Sequence, residues 1–255
     1  MRNLFNVEGK NVLVTGGSRG IGEMIARGYV ENGANVFISS RKANVCDGIA
    51  EELSKHGKCT SLPFDLSEMA GVEALAAALA AKVDKLDVLV NNAGASWGAP
   101  IDEFPESGWD KVMDLNLKSV FFLTQKLLPL LRAAASQPSP ARVINIASIN
   151  GLAPSTLETY SYSASKAGVI MLTRQMAKRL AGDHILVNAI APGPFPSQMM
   201  AATLATAGDA IRAGNPLGRI GQPEDIAGVA IFLGSRASAY TTGAVVPCDG
   251  GTAEV

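Results

Sequence analysis

Short runs of consecutive apolar residues alternate along the chain with longer stretches in which apolar side chains recur every three or four positions. The runs suit strands buried on both faces, and the spaced stretches suit helices with one apolar stripe. Val12-Leu13-Val14 is the first run; it stops in glycines, after which Ile21, Ile25, Tyr29 and Val30 keep helical spacing until Asn32-Gly33. A second strand is predicted over 35–39, a helix over 43–55, a third strand over 59–64 and an Ala- and Leu-rich helix over 68–83. Val88-Leu89-Val90 forms the fourth strand, and residues 109–132 read as a long helix whose apolar stripe Asn116 interrupts. A fifth strand follows over 142–147, then a helix opened by Tyr160 or Ser161 and ending near Leu180. The sixth strand covers 186–190, Pro223-Glu224 opens a last helix, and 244–247 is the final strand.

Strand and helix in alternation predict an α/β fold, a Rossmann-like doubly wound parallel sheet of about seven strands with helices on both faces. With 255 residues and 47% hydrophobic content, the chain can bury one large core, and no linker divides it, so residues 1–255 are read as a single domain. The stretch 193–218, rich in Ala, Met and Gly, is expected to be a substrate lid; a packed helical pair is the alternative. Residues 133–141 form a small-residue and proline loop, expected to be mobile.

A net charge of −1 with scattered Lys and Arg argues against a nucleic-acid face or an anionic membrane surface. The stretch Met1-Arg2-Asn3-Leu4-Phe5 is short and polar for a secretory signal, and no apolar run reaches the roughly 18 residues of a membrane span, so a cytoplasmic location is expected. Cys46, Cys59 and Cys248 are odd in number and make no C-x-x-C, which argues against a disulfide framework. His56 and His184, the two histidines, have no partners at metal-ligand spacing, so no metal site is expected and proton chemistry must use another group.

The glycines after the first strand are the first candidate site. A helix that starts inside a glycine turn aims free N–H groups and its positive dipole end at a diphosphate, and glycines let the backbone approach it. In NAD-binding folds an acid near the end of the second strand holds the ribose 2′-hydroxyl, about 20 residues beyond the loop. Here that place is held by Arg41, and Arg19 lies inside the loop itself. Two guanidiniums suit a 2′-phosphate, which predicts NADP(H) over NAD(H); two solvated surface arginines are the alternative.

Ser148 follows the fifth strand at its carboxyl end, where open α/β sheets carry ligand chemistry. Tyr162 and Lys166 are four residues apart on one helix face, whereas Tyr160 has Ala164 at that offset, so the spacing selects Tyr162. A phenol working near neutral pH needs a shift of about 3 pKa units, roughly 4 kcal/mol. One ammonium about 4 Å away would supply roughly that much at an effective dielectric of about 20.

The glycine loop T-G-x-x-x-G-x-G, Asn91-Asn92-Ala93-Gly94, Asn116, Ser148, Tyr162-x-x-x-Lys166 and Pro192-Gly193 resemble, in order and spacing, the short-chain dehydrogenase/reductase family over essentially the entire chain. The resemblance implies Tyr162 as general acid/base, Lys166 lowering its pKa and holding the nicotinamide ribose, Ser148 polarising the carbonyl, and Asn116 completing a proton relay. It further implies cofactor contacts from Gly16, Ser18, Arg19, Gly20, Ile21, Gly22, Arg41, Asp65, Leu66, Asn92, Ala93, Gly94, Pro192, Gly193, Phe195 and Ser197. Asp65 has two open readings, an adenine contact implied by the family or a cap for the following helix. Ser197 stands where the family usually has Thr. Asp249-Gly250-Gly251 resembles the family's tail, and members commonly form homotetramers.

Ser96-Trp97-Gly98-Ala99, Ser107-Gly108-Trp109 and Phe195-Pro196-Ser197 resemble the β-ketoacyl reductase branch associated with rhamnolipid synthesis. The expected activity is NADPH-dependent reduction of a ketone to a secondary alcohol, with a 3-oxoacyl thioester as substrate. The longer loop before the fifth strand leaves its carrier open between acyl carrier protein, coenzyme A and none. A secondary-alcohol or sugar dehydrogenase of the same family and a non-catalytic NADP(H)-binding regulator are the competing readings.

Overall fold

The computed structural model describes residues 3–253; Met1, Arg2, Glu254 and Val255 lie outside the described residues. Its strands are β1 (Asn11–Thr15), β2 (Asn35–Ser39), β3 (Lys58–Ser61), β4 (Val88–Asn91), β5 (Ala141–Ile146), β6 (Ile185–Pro192) and β7 (Val245–Cys248). They form one seven-stranded sheet in the order β3-β2-β1-β4-β5-β6-β7. Every pairing is parallel. The helices between them are α1 (Gly20–Glu31), α2 (Ala43–Leu53), α3 (Met69–Ala80), α4 (Glu106–Met113), α5 (Ser119–Ala134), α6 (Tyr160–Leu180), α7 (Ala201–Gly214) and α8 (Pro223–Gly234).

Successive residues of β1 point to opposite faces, and the core divides accordingly. Val12 and Val14 pack with Ile25 and Tyr29 of α1 and with Ile226, Ala230 and Leu233 of α8. Leu13 faces the other way, into Val72, Leu75 and Leu79 of α3, Leu123 and Leu127 of α5 and Leu180 of α6. Leu13 is fully buried, which by the area rule is worth about 2 kcal/mol. Burial on both faces explains why the central strands β1 and β4 read as unbroken apolar runs, whereas β3 and β7 at the two ends of the sheet are only partly buried.

Two elements differ from their expected form. The third strand ends at Ser61, although Leu62 still donates to the Ile38 carbonyl at 2.8 Å. Pro63 has no N–H to carry the ladder further. The long helix runs from Glu106 to Ala134 as α4 and α5 joined by a π-helical turn over Asp114–Lys118, which contains Asn116. Among the described residues no helix is long and apolar enough to cross a membrane.

Candidate active site

The strand order reverses beside β1, so the chain leaves β1 and β4 in opposite directions and opens a crevice between their carboxyl ends. Thr15, the last residue of β1, ties the two loops together. Its Oγ1 accepts from the backbone N–H of Asn92 at 2.9 Å and of Ala93 at 3.0 Å, and Asn92 Nδ2 donates back to the Thr15 carbonyl at 2.8 Å. Sequence reasoning did not assign Thr15 a role; its place before the first glycine was the available signal.

Gly16 has φ +64, and a Cβ on Gly22 would lie 2.3 Å from both the Gly16 carbonyl oxygen and Asn92 Nδ2. These glycines let the loop, the helix and the β4 end occupy one small volume. A Gly22→Ala protein is expected to lose about 2–3 kcal/mol of stability, because backbone rather than a movable side chain must give way. Denaturant unfolding measures this; an unchanged midpoint would show that the two loops are not packed this tightly.

The first turn of α1 is open to an anion, since its N-cap residue, Arg19, makes no side-chain cap. Ser18 is buried in the loop, and a Cβ on Gly20 would come within 3.0 Å of Ser197 Cβ, so the start of the 193–218 stretch lies over the glycine turn. Arg19 hydrogen-bonds Gln198 of that stretch. Arg41 Nη1 stands 4.0 Å from Asp65 Oδ2, and the two side chains are 52% and 47% exposed. A pair so long and so wet is weak, leaving the guanidinium free to turn to a stronger anion. Beside Arg41, the buried hydroxyl of Ser40 has no hydrogen-bond partner among the described residues, as is also true of Ser39 and Ser61 at the same edge of the sheet. Uncapped helix, two arginines and orphaned hydroxyls fit a phosphorylated adenosine ribose.

Asp65 does not cap α3. That helix begins after Glu68, and Asp65 Oδ1 instead accepts from the N–H of Ser67 at 3.0 Å and its hydroxyl at 2.8 Å, an Asx turn. Leu66 and Phe195 both send their side chains into the interior, so only their main chains remain for a ligand. Ile21 is half-buried against the α1 side of the core.

Asn116 is committed to structure through its side chain. Oδ1 accepts from Ala95 N at 2.8 Å, while Nδ2 donates to the Ala95 carbonyl at 2.9 Å and to Ser165 Oγ at 3.1 Å. The amide thus holds the loop after Gly94 against the π turn, and α6 is joined to both. A buried amide with all its bonds made fixes geometry rather than flexing.

Ser148 Oγ accepts from Asn150 N at 3.2 Å, and the Ser148 side chain stands near enough to the Tyr162 hydroxyl to act on its titration. Tyr160 turns elsewhere, donating to Glu158 Oε1 at 3.1 Å and packing edge-on against Phe104. Lys166 is buried on α6, with Nζ donating to the Ile146 carbonyl at 2.6 Å and lying 5.6 Å from the Tyr162 ring centre.

The electrostatics depart from the expectation that Lys166 lowers the phenol. Burial pushes the Tyr162 hydroxyl above its ordinary value, and the nearby Ser148 side chain only partly opposes this. Burial likewise pushes Lys166 down to about 8. Both groups lose water, and the ammonium spends a short bond on a carbonyl instead of the phenol oxygen.

Pro192 ends β6, and Gly193 N donates to the Cys248 carbonyl at 3.0 Å. Ser197 Oγ accepts from Met200 N at 3.2 Å at the entrance to α7. This edge closes the crevice on the β6 side.

A parallel sheet with such a crevice at its switch point defines a dinucleotide-binding α/β protein. The family described as enoyl-(acyl carrier protein) reductase matches residues 16–253. The rhamnolipids biosynthesis 3-oxoacyl-[acyl-carrier-protein] reductase of Pseudomonas aeruginosa is 51% identical, the match covering 98% of this chain and 99% of that one. The 5-keto-D-gluconate 5-reductase of Escherichia coli is 35% identical, with 98% of each chain covered. Among solved structures, the Pseudomonas aeruginosa RhlG/NADP active-site complex superposes with a TM-score of 0.96 at 51% identity over 100% of both chains. The chain belongs to the short-chain dehydrogenase/reductase family.

Proposed function

We propose that this protein reduces a 3-oxoacyl thioester to the 3-hydroxyacyl thioester with NADPH. The observation that carries the reading is the grouping of Ser148 and Tyr162 beside buried Lys166, whose Nζ lies 5.6 Å from the Tyr162 ring centre, next to a crevice whose β2 edge bears Arg41 instead of an acid. The thioester is favoured over a polyol because the 51% identical relative is named a 3-oxoacyl reductase and the sugar-acid reductase is 35% identical.

The bound nicotinamide supplies the hydride. Arg19 and Arg41 bind the 2′-phosphate, and the first turn of α1, with Gly16, Gly20 and Gly22, takes the diphosphate. Asn92, Ala93 and Gly94 form the floor, while the main chain from Pro192 to Phe195 and the Ser197 hydroxyl hold the carboxamide end. Ser148 orients the substrate carbonyl oxygen, and Tyr162 gives that oxygen its proton. A phenol raised above its ordinary pKa stays protonated at neutral pH, which suits a donor in the direction of reduction. Lys166 holds the nicotinamide ribose, and Asn116 keeps the floor loop and α6 in register. Residues 193–218 act as the substrate lid.

A panel of 3-oxoacyl thioesters, simple ketones and polyols, followed by NADPH absorbance, tests the substrate. Preference for a polyol would overturn it. The pH dependence has a definite sign. Lys166 carries its charge below about 8 and loses it above, while Tyr162 remains protonated across that range. The kcat/KM for reduction is therefore expected to fall as pH rises through about 8; a flat profile there would remove Lys166 charge from the mechanism.

Exposed Phe121 on α5 and Met171 on α6 support a homo-oligomer, with the tetramer common in this family as the proposed state. Light scattering decides between it and a monomer. The proposed location is the cytoplasm.

A further inference from the structure

We propose that the short stretch Cys248–Thr252 is a clasp on both ends of the 193–218 segment, and that Asn215 is the positioning residue that fastens it. The inference rests on reading that segment as the substrate lid. At the near end, Gly193 N donates to the Cys248 carbonyl at 3.0 Å, and a Cβ on Gly193 would lie 2.7 Å from Asp249 Cβ. At the far end, Asn215 is buried just after α7, although it is polar and its neighbours in the chain are exposed. Its Nδ2 donates to the Asp249 carbonyl at 2.7 Å and to Thr252 Oγ1 at 2.9 Å, and its Oδ1 accepts from Leu217 N at 2.8 Å.

The tail is shaped for this grip. Asp249 folds it back on itself, accepting from Gly251 N at 3.0 Å and Ala253 N at 2.7 Å, and Thr252 Oγ1 donates to the Asp249 carbonyl at 2.8 Å. Gly250, at φ +66, passes so near Asn215 that a Cβ would sit 2.6 Å from Oδ1. Gly251 does the same over Pro216, at 3.2 Å from its ring. The two ends of a segment some two dozen residues long are thereby held by one five-residue stretch, while α7 between them is largely exposed. An element held at its ends and little in its middle takes its position from the anchors, so the tail sets how α7 lies over the crevice.

Asn215 and Thr252 are not among the residues assigned to cofactor or substrate, so the effect of changing them reaches catalysis through substrate capture. Asn215→Ala removes all three side-chain bonds, and Thr252→Val, a milder change, removes one bond to Asn215 and the Thr252 bond to the Asp249 carbonyl. In Asn215→Ala, amide hydrogen exchange over 198–214 in the cofactor-free protein is expected to quicken about tenfold, with Thr252→Val intermediate. The KM for a 3-oxoacyl thioester should rise about tenfold with kcat within about threefold and NADPH binding unchanged. Unaltered exchange over 198–214, or kcat and cofactor affinity falling together, would overturn the clasp. If Asn215→Ala does not fold, the same readouts on Thr252→Val decide it. Exchange is measured without substrate, so wild-type protein inert toward thioesters would refute the substrate reading and leave the clasp to be judged on exchange.

Discussion

The Tyr162→Phe protein is expected to bind NADPH as the wild type does and to turn over about a thousandfold more slowly, within the range that a positioned general acid contributes. The substitution deletes one oxygen and keeps the ring, so the packing of α6 is unchanged. What disappears is the hydroxyl beside Ser148, and with it the proton donor for the carbonyl oxygen. Lys166 cannot substitute, because its Nζ is engaged by the Ile146 carbonyl at 2.6 Å and lies on the ring side of the tyrosine. Tyr160 cannot either, since its hydroxyl is turned to Glu158. Steady-state reduction and fluorescence titration with NADPH separate the two effects. A variant retaining a tenth of wild-type turnover would show that the proton comes from elsewhere.

The second large effect concerns the cofactor. Removing both guanidiniums, Arg19→Ala with Arg41→Ala, should lower kcat/KM for NADPH by about 10²–10³-fold and leave that for NADH nearly unchanged, on the basis of about 2 kcal/mol per charge-assisted bond at a half-exposed site. Arg41 is available for this because its present partner, Asp65, is 4.0 Å away and half-exposed. Comparing both cofactors at low and at high salt tests the claim, since a charge-based preference shrinks as salt rises. Equal losses with both cofactors would mean that the arginines support the loop and do not read the phosphate.

The fold was legible where signals are local. The second strand was expected over 35–39 and is Asn35–Ser39; the helix bearing Tyr162 was expected from Tyr160 or Ser161 to Leu180 and is Tyr160–Leu180. Both faces of these strands are buried, so each writes its burial as a continuous run. Boundaries failed where a single residue overruled the pattern, as Pro63 does at the end of the third strand. The π turn at Asn116 was marked locally only by a polar break in the apolar stripe, because the bonds that accompany it, to Ala95 and Ser165, are remote in sequence.

Order and spacing along the chain were enough for the doubly wound sheet and for placing Tyr162 and Lys166 one turn apart on the same helix, because strand runs and helical offsets are written in neighbours within a few positions. The tertiary structure alone decided how water is shared out: it sets a half-buried Tyr162 beside a buried Lys166, raising one and lowering the other where pairwise attraction had suggested a lowered phenol. It also decided that Asp65 turns on Ser67 instead of capping α3, and that the tail reaches Gly193 and Asn215. Desolvation and long-range hydrogen bonds arise only once distant segments meet, and no spacing in a linear chain records what a side chain will be packed against.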